Sequence, residues 1–126
     1  MPLGPTRVRV MDVRVFDYRE VELEPVEMEG CRGVKVRWLL RTEHGAEKFW
    51  MRVFEVEPGG YTPYHTHPWE HEVFVLEGEG AVVDEEGREH PIRPGTVVFV
   101  APNEPHQFRN KGNTILKFIC LVPAHP

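Results

Sequence analysis

At 126 residues, with a formal charge of −5 and 40% apolar residues, the chain is sized for one domain around a single core. No run approaches the roughly 18 apolar residues of a membrane helix, and the 15 basic residues form no stripe that would neutralise phosphates. A bilayer-crossing helix and a nucleic-acid partner are therefore not expected. Serine is absent altogether, which excludes a serine nucleophile.

The N-terminus, MPLGPTRVRVMDVRV, lacks the apolar segment of a secretory leader, so a cytoplasmic setting is expected. Cys31 and Cys120 stand far apart, outside any C-x-x-C, and read as two buried thiols rather than a disulfide. The amides are only Asn103, Asn110, Asn113 and Gln107, while Glu, Arg and Pro are plentiful, which points to a thermophilic source.

In chain order, TRVRVMDVRVFD alternates like a half-buried strand, and a short helical turn is allowed within residues 17–29, where Pro25 argues against a longer one. GVKVRWLLRT and KFWMRVFEVE flank EHGA as a hairpin. EVFVLEGEG, GAVVDEEGREHPI (turning at Glu85-Glu86-Gly87), GTVVFVAP, HQFRN and TILKFICLV complete a series of short strands with turn residues between them. No window keeps a helical apolar period, so the class is all-β. Residues 1–44 are expected to supply strands that pack on the barrel or on a dimer partner, and residues 45–126 the barrel with its site. VRWLL and FWMRVF are apolar on both faces, so their second face needs cover from a sheet of the same subunit or from a homodimer partner. Trp38, Leu40, Trp50 and Phe54 are the residues expected there.

The chemistry concentrates in HTHPWEH. His65 and His67 share a strand face, and His71 keeps the same parity beyond a bend imposed by Pro68. Imidazoles gathered at one point without a cation leave polar atoms unpaired, so a metal is the expected reason for the cluster. His106, at the head of another short strand, is the natural fourth ligand. Glu70 and Glu72 are second-choice ligands and candidates to hold the rings from behind, but each reads better as a solvent-facing carboxylate. In ILKFICLV, an outward Lys117 turns Phe118 and Cys120 inward; the Cys120 thiol reads first as a small buried hydrophobe, with approach to the same centre as the alternative. His44, His90 and His125 read as surface residues, and Trp69 as a wall of the pocket or a cover for the barrel end.

GGYTPYHTHPWEHEVFVLEG and PGTVVFVAPNEPHQFRN together resemble the two motifs of the cupin superfamily. The first motif falls on Gly59, His65, His67, an acid position and Gly78; counting back from Gly78 places that position at His71, where the family usually has glutamate. The second falls on Gly95, Ala101, Asn103, His106 and Asn110, with Ala101 in place of proline and Asn103 in place of glycine. Asparagine is the non-glycine residue most tolerant of a left-handed backbone, so that turn is expected to survive. The resemblance, over about residues 45–122, implies a jelly-roll β-barrel and one divalent ion held by His65, His67, His71 and His106. Manganese or iron is favoured; zinc, nickel and copper are alternatives by affinity order. Four neutral imidazoles would leave open coordination positions, so oxidative, dioxygenase-like chemistry on a small organic molecule is expected. The alternatives are a non-catalytic metal or ligand-sensing module and an isomerase. A deep apolar cavity above the metal would favour catalysis on an apolar substrate.

Overall fold

The computed structural model describes residues 13–126, and among them the expected all-β class holds. Nine strands, β1 (Glu24–Pro25), β2 (Arg32–Leu40), β3 (Phe49–Tyr61), β4 (His71–Glu77), β5 (Gly80–Val83), β6 (Glu89–Ile92), β7 (Val97–Val100), β8 (Gln107–Asn110) and β9 (Leu116–Pro123), pair antiparallel in one curled sheet. The order is β6-β5-β8-β3-β9-β4-β7, with β2 and then β1 added on β3, an arrangement that matches a jelly-roll barrel.

β3 organises the barrel because it serves two neighbours. Its first half, Phe49 to Val56, pairs with β9, and its end, Tyr61, pairs with β8. Between them the chain bends at Glu57 to Gly60, where the register with β2 shifts. Proline and two glycines in succession suit this bend: Pro58 donates no ladder bond and Gly59 takes φ 80°. Beyond Tyr61 the pairing continues. Thr62 N–H donates to Phe108 O, and His65 and His106 exchange both backbone bonds at 3.1–3.2 Å. Two ligand-type side chains are thus placed opposite each other by backbone alone.

Strand parity sorts the rest. On β9, Phe118, Cys120 and Val122 face inward and are buried, while Lys117 faces outward, where Tyr18 Oη lies 2.9 Å from its ammonium. Leu116, Phe118 and Cys120 join Val34, Val56, Val73, Val75, Val82 and Phe108 in the core. Burying such side chains contributes on the order of 1.5–3 kcal/mol each.

The expected early strand is not seen in its described part. Residues 13–17 form no strand, and Val13 and Val15 are about 90% exposed; residues 6–12 of that segment lie outside the described residues. Alternation suits a strand, but no described sheet edge meets this one. A 3-10 turn follows at Tyr18–Glu20, capped by Asp17, within the segment where a short helical turn was expected. No helix of the described residues is long and apolar enough to cross a membrane.

Candidate metal centre

Four imidazoles meet inside one end of the barrel. His65 and His106 come from the bridged ends of β3 and β8, His67 from the loop that follows, and His71 from the first position of β4. The second motif's turn is closed by Asn103 at φ 66°, whose N–H donates to His67 O at 2.7 Å. The left-handed asparagine thus ties the loop before His106 to the loop that carries His67.

The ring nitrogens are set by local backbone. His67 Nδ1 lies 3.2 Å from Trp69 O and His106 Nδ1 lies 2.8 Å from Glu104 O. Carbonyls accept, so each Nδ1 holds the proton and each Nε2 is left with a lone pair. His67 Nε2 and His71 Nε2 are buried with no hydrogen-bond partner. Burial lowers all four pKa values: His65 to about 4, His71 to about 2, and His67 and His106 in the same direction. Arg52 and the neighbouring rings add to the depression at His65 and His71. Neutral rings with unused lone pairs are the state a divalent ion requires.

Donor atoms of His65, His67 and His106 all lie within 4.8 Å of one another. Ligands about 2.1 Å from one ion stand roughly 3–4 Å apart, so a small inward movement of these three would complete a site. His71 stands outside this trio for a geometric reason. Its ring is stacked on His67, centroids 4.2 Å apart and planes 9° from parallel. A nitrogen lone pair lies in its ring plane, and parallel planes do not meet. Both rings can face one ion only if one of them tilts out of the stack.

Glu70 and Glu72 take the solvent-facing places that are the better reading for them. Both glutamates are exposed, and among the described residues neither bonds an imidazole. Strand parity gives the reason at Glu72, which follows inward His71 on β4 and therefore points out. Backbone carbonyls take their place, and for His71 the neighbour is a thiol: Cys120 Sγ lies 3.3 Å from Nδ1. Both cysteines are free; Cys120 is buried, and burial raises its pKa. Of the remaining histidines, His44 closes the Thr42–His44 turn, His90 meets Asp84 at 2.8 Å on the surface, and His125 packs against Trp50.

A cavity of about 370 Å³ opens onto the four imidazoles, within the range of roughly 300–1,000 Å³ usual for small-molecule sites. Its wall is mostly apolar: Val34, Val36, Trp38, Phe54, Phe108 and Phe118 line it, and Trp69 stacks on His67 at 4.6 Å. Trp38 and Phe54, expected on a face needing outside cover, thus look into this cavity. Among the wall residues that sequence reasoning missed, Arg52 is the basic one. Its signal was available, because Arg52 shares strand parity with Trp50 and Phe54 and so faces inward.

The chain belongs to the cupin family: the family model described as a cupin domain matches residues 52–122. Among curated proteins it is 32% identical over 111 residues to an oxalate-binding protein of Thermotoga maritima, covering 82% of this chain and 90% of that protein. Among solved structures it is similar to the polyketide cyclase RemF of Streptomyces resistomycificus. That likeness has 34% identity and a TM-score of 0.85, over 90% of this chain and 81% of the other. A cupin-2 domain protein of Rhodospirillum rubrum is 27% identical with a TM-score of 0.76, over 89% and 75% of the two chains.

Proposed function

We propose that this cupin holds one divalent ion through His65, His67, His71 and His106 and acts on a small organic molecule bound in the cavity above it. The observation that carries the reading is the meeting of buried and half-buried imidazoles at the end of an apolar pocket, where the Nε2 atoms of His67 and His71 have no partner among the described residues. Leaving such atoms unpaired costs on the order of 1–3 kcal/mol each unless something binds them. His71 joins the other three by tilting out of its stack on His67.

Manganese or iron is the ion we favour, with zinc, nickel and copper as substitutes. Such an ion would supply Lewis-acid and redox chemistry that no wall side chain provides. The chain's own part is to hold the rings in one tautomer through Trp69 O and Glu104 O and to exclude water with Trp69, Phe108 and Phe118. No carboxylate is hydrogen-bonded to the imidazoles, which favours oxidative, dioxygenase-like chemistry over proton shuttling. A homodimer, a cytoplasmic setting and a thermophilic source belong to the same proposal. Exposed Phe74, Val97 and Phe99, on the paired outer faces of β4 and β7, support self-association.

A second reading is ring closure or isomerisation without redox change, supported by the likeness to a polyketide cyclase. Reconstitution with each metal, followed by oxygen-uptake assays on phenols, alkenes and diketones, separates the two. Oxygen consumption tied to substrate loss is the expected result. Metal-dependent conversion without oxygen uptake would favour the second reading, and inertness with every metal would leave a binding or sensing module.

A further inference from the structure

Arg52 is the one arginine or lysine among the described residues of the cavity wall, and among those residues it meets no counter-ion. It sits on β3 between Trp38 of β2 and Cys120 of β9 as cross-strand neighbours, in the row that faces the imidazoles. Its guanidinium lies 5.1 Å from the Trp38 ring centre and 4.8 Å from that of Phe54, so two aromatic faces hold it in place. Its only hydrogen bond among the described residues is a weak one, from Nη2 to Cys120 Sγ at 3.5 Å. Its Nε is buried with no partner among the described residues. Two carboxylates stand in the wall, Glu24 and the terminal carboxylate of Pro126, and among the described residues neither forms an ion pair with Arg52. A planar cation with unused donors, fixed by aromatic packing in an apolar cavity, matches a carboxylate or enolate oxygen.

We propose that Arg52 is a specificity-determining residue that selects an aromatic or otherwise apolar substrate bearing an acidic oxygen. The anionic group pairs with the guanidinium, and the apolar body lies against Trp38 and Phe54. The inference rests on the reading of this cavity as the substrate site, but the anion is assigned to the side chain and not to the ion. A neutral amide of the same shape can still accept a hydrogen bond from the guanidinium but brings no charge to pair with it, so charge is what distinguishes the two.

The test uses the full chain, treated with chelator, and two probes of nearly equal shape: 1-naphthoate and the neutral 1-naphthamide. Binding is followed by calorimetry and by quenching of tryptophan fluorescence. Wild type should bind the naphthoate at least about ten-fold more tightly than the amide, the usual scale for one charge-assisted contact. Arg52→Met should remove that preference by weakening naphthoate binding far more than amide binding, while Arg52→Lys should keep part of it. Equal affinity for both probes in wild type, or naphthoate binding that survives Arg52→Met, would overturn the proposal. So would naphthoate binding that appears only after Mn²⁺ is added, an outcome that leaves the metal reading standing. Should Arg52→Met fail to fold by circular dichroism, the wild-type probe pair decides alone. A charge preference in a chain that takes up no metal would sustain Arg52 and sink the metal reading, so the two fail separately.

Discussion

Two buried polar clusters lie in this barrel, one for each side of the second motif, and they are built on opposite rules. Asn110 is 4% exposed and fully satisfied: its amide donates to Val56 O and Thr114 O at 2.8 Å, and its Oδ1 accepts from Gly112 N–H at 2.8 Å. Four residues earlier, His106 joins a group in which the Nε2 atoms of His67 and His71 have no partner. Buried polar groups are hydrogen-bonded as a rule, so the first cluster is architecture, while the second supports the proposed metal site. Asn110 pins β8 to β3 and closes the turn into β9. The imidazoles hold nothing together that backbone pairing does not already hold.

The comparison can be broken most decisively through the ligands. His67→Ala should lower affinity for divalent metal at least about 100-fold, measured by calorimetry on chelator-treated protein. The same variant should cost the metal-free fold no more than about 1 kcal/mol, because lost ring stacking is offset by removal of a desolvated nitrogen. Asn110→Ala should do the reverse. It should cost about 2–4 kcal/mol of stability in urea unfolding, since two carbonyls and an N–H lose their partner together. Its metal affinity, where the variant folds, should stay within a few-fold of wild type.

Cys120→Ala sharpens the contrast at smaller scale. If the thiol orients His71 through Nδ1, metal affinity should fall about ten-fold, as for other groups that hold a ligand from behind. Cys120→Ser should recover part of it, which loss of packing alone would not produce. Glu72→Ala, by comparison, should leave both metal affinity and stability unchanged within about 0.5 kcal/mol, as for other surface positions.

Acid gives a third probe. Burial holds the His65 pKa near 4 and that of His71 near 2, below the 6.5 of a free imidazole. The unfolded chain therefore binds more protons than the folded one between these values, so stability rises with pH there. Their contribution is fully present above about pH 6.5 and is lost as pH falls towards 4 and then 2. The melting temperature of metal-free protein should drop from pH 7 to pH 5, and alanine at His71 should flatten that slope.

Much of this was legible in the sequence because strand parity is a local property. It puts His65 and His67 on one face and turns Cys120 inward, while turn residues mark the hairpin at Glu85-Glu86-Gly87. The tolerance of asparagine for a left-handed backbone carried through to Asn103. Other features depend on neighbours that parity does not name. The stack of His71 on His67 arises from how the loop after Pro68 returns to β4. Trp38 and Phe54 proved to line a cavity because β2 adds to the barrel through β3, and a strand's apolar second face does not say what will cover it. Arg52 stands apart, since its inward parity was readable and only its aromatic enclosure and missing counter-ion give that parity meaning.

The most direct test of the metal site is the ion content of the full chain, measured by mass spectrometry after equilibration with Mn²⁺ and desalting. The expected result is one ion per chain in wild type, with retention lost on alanine substitution at His65, His67 or His106 and weakened at His71. Wild-type protein that emerges without metal, or that keeps its ion after His67 and His106 are both replaced, would contradict it.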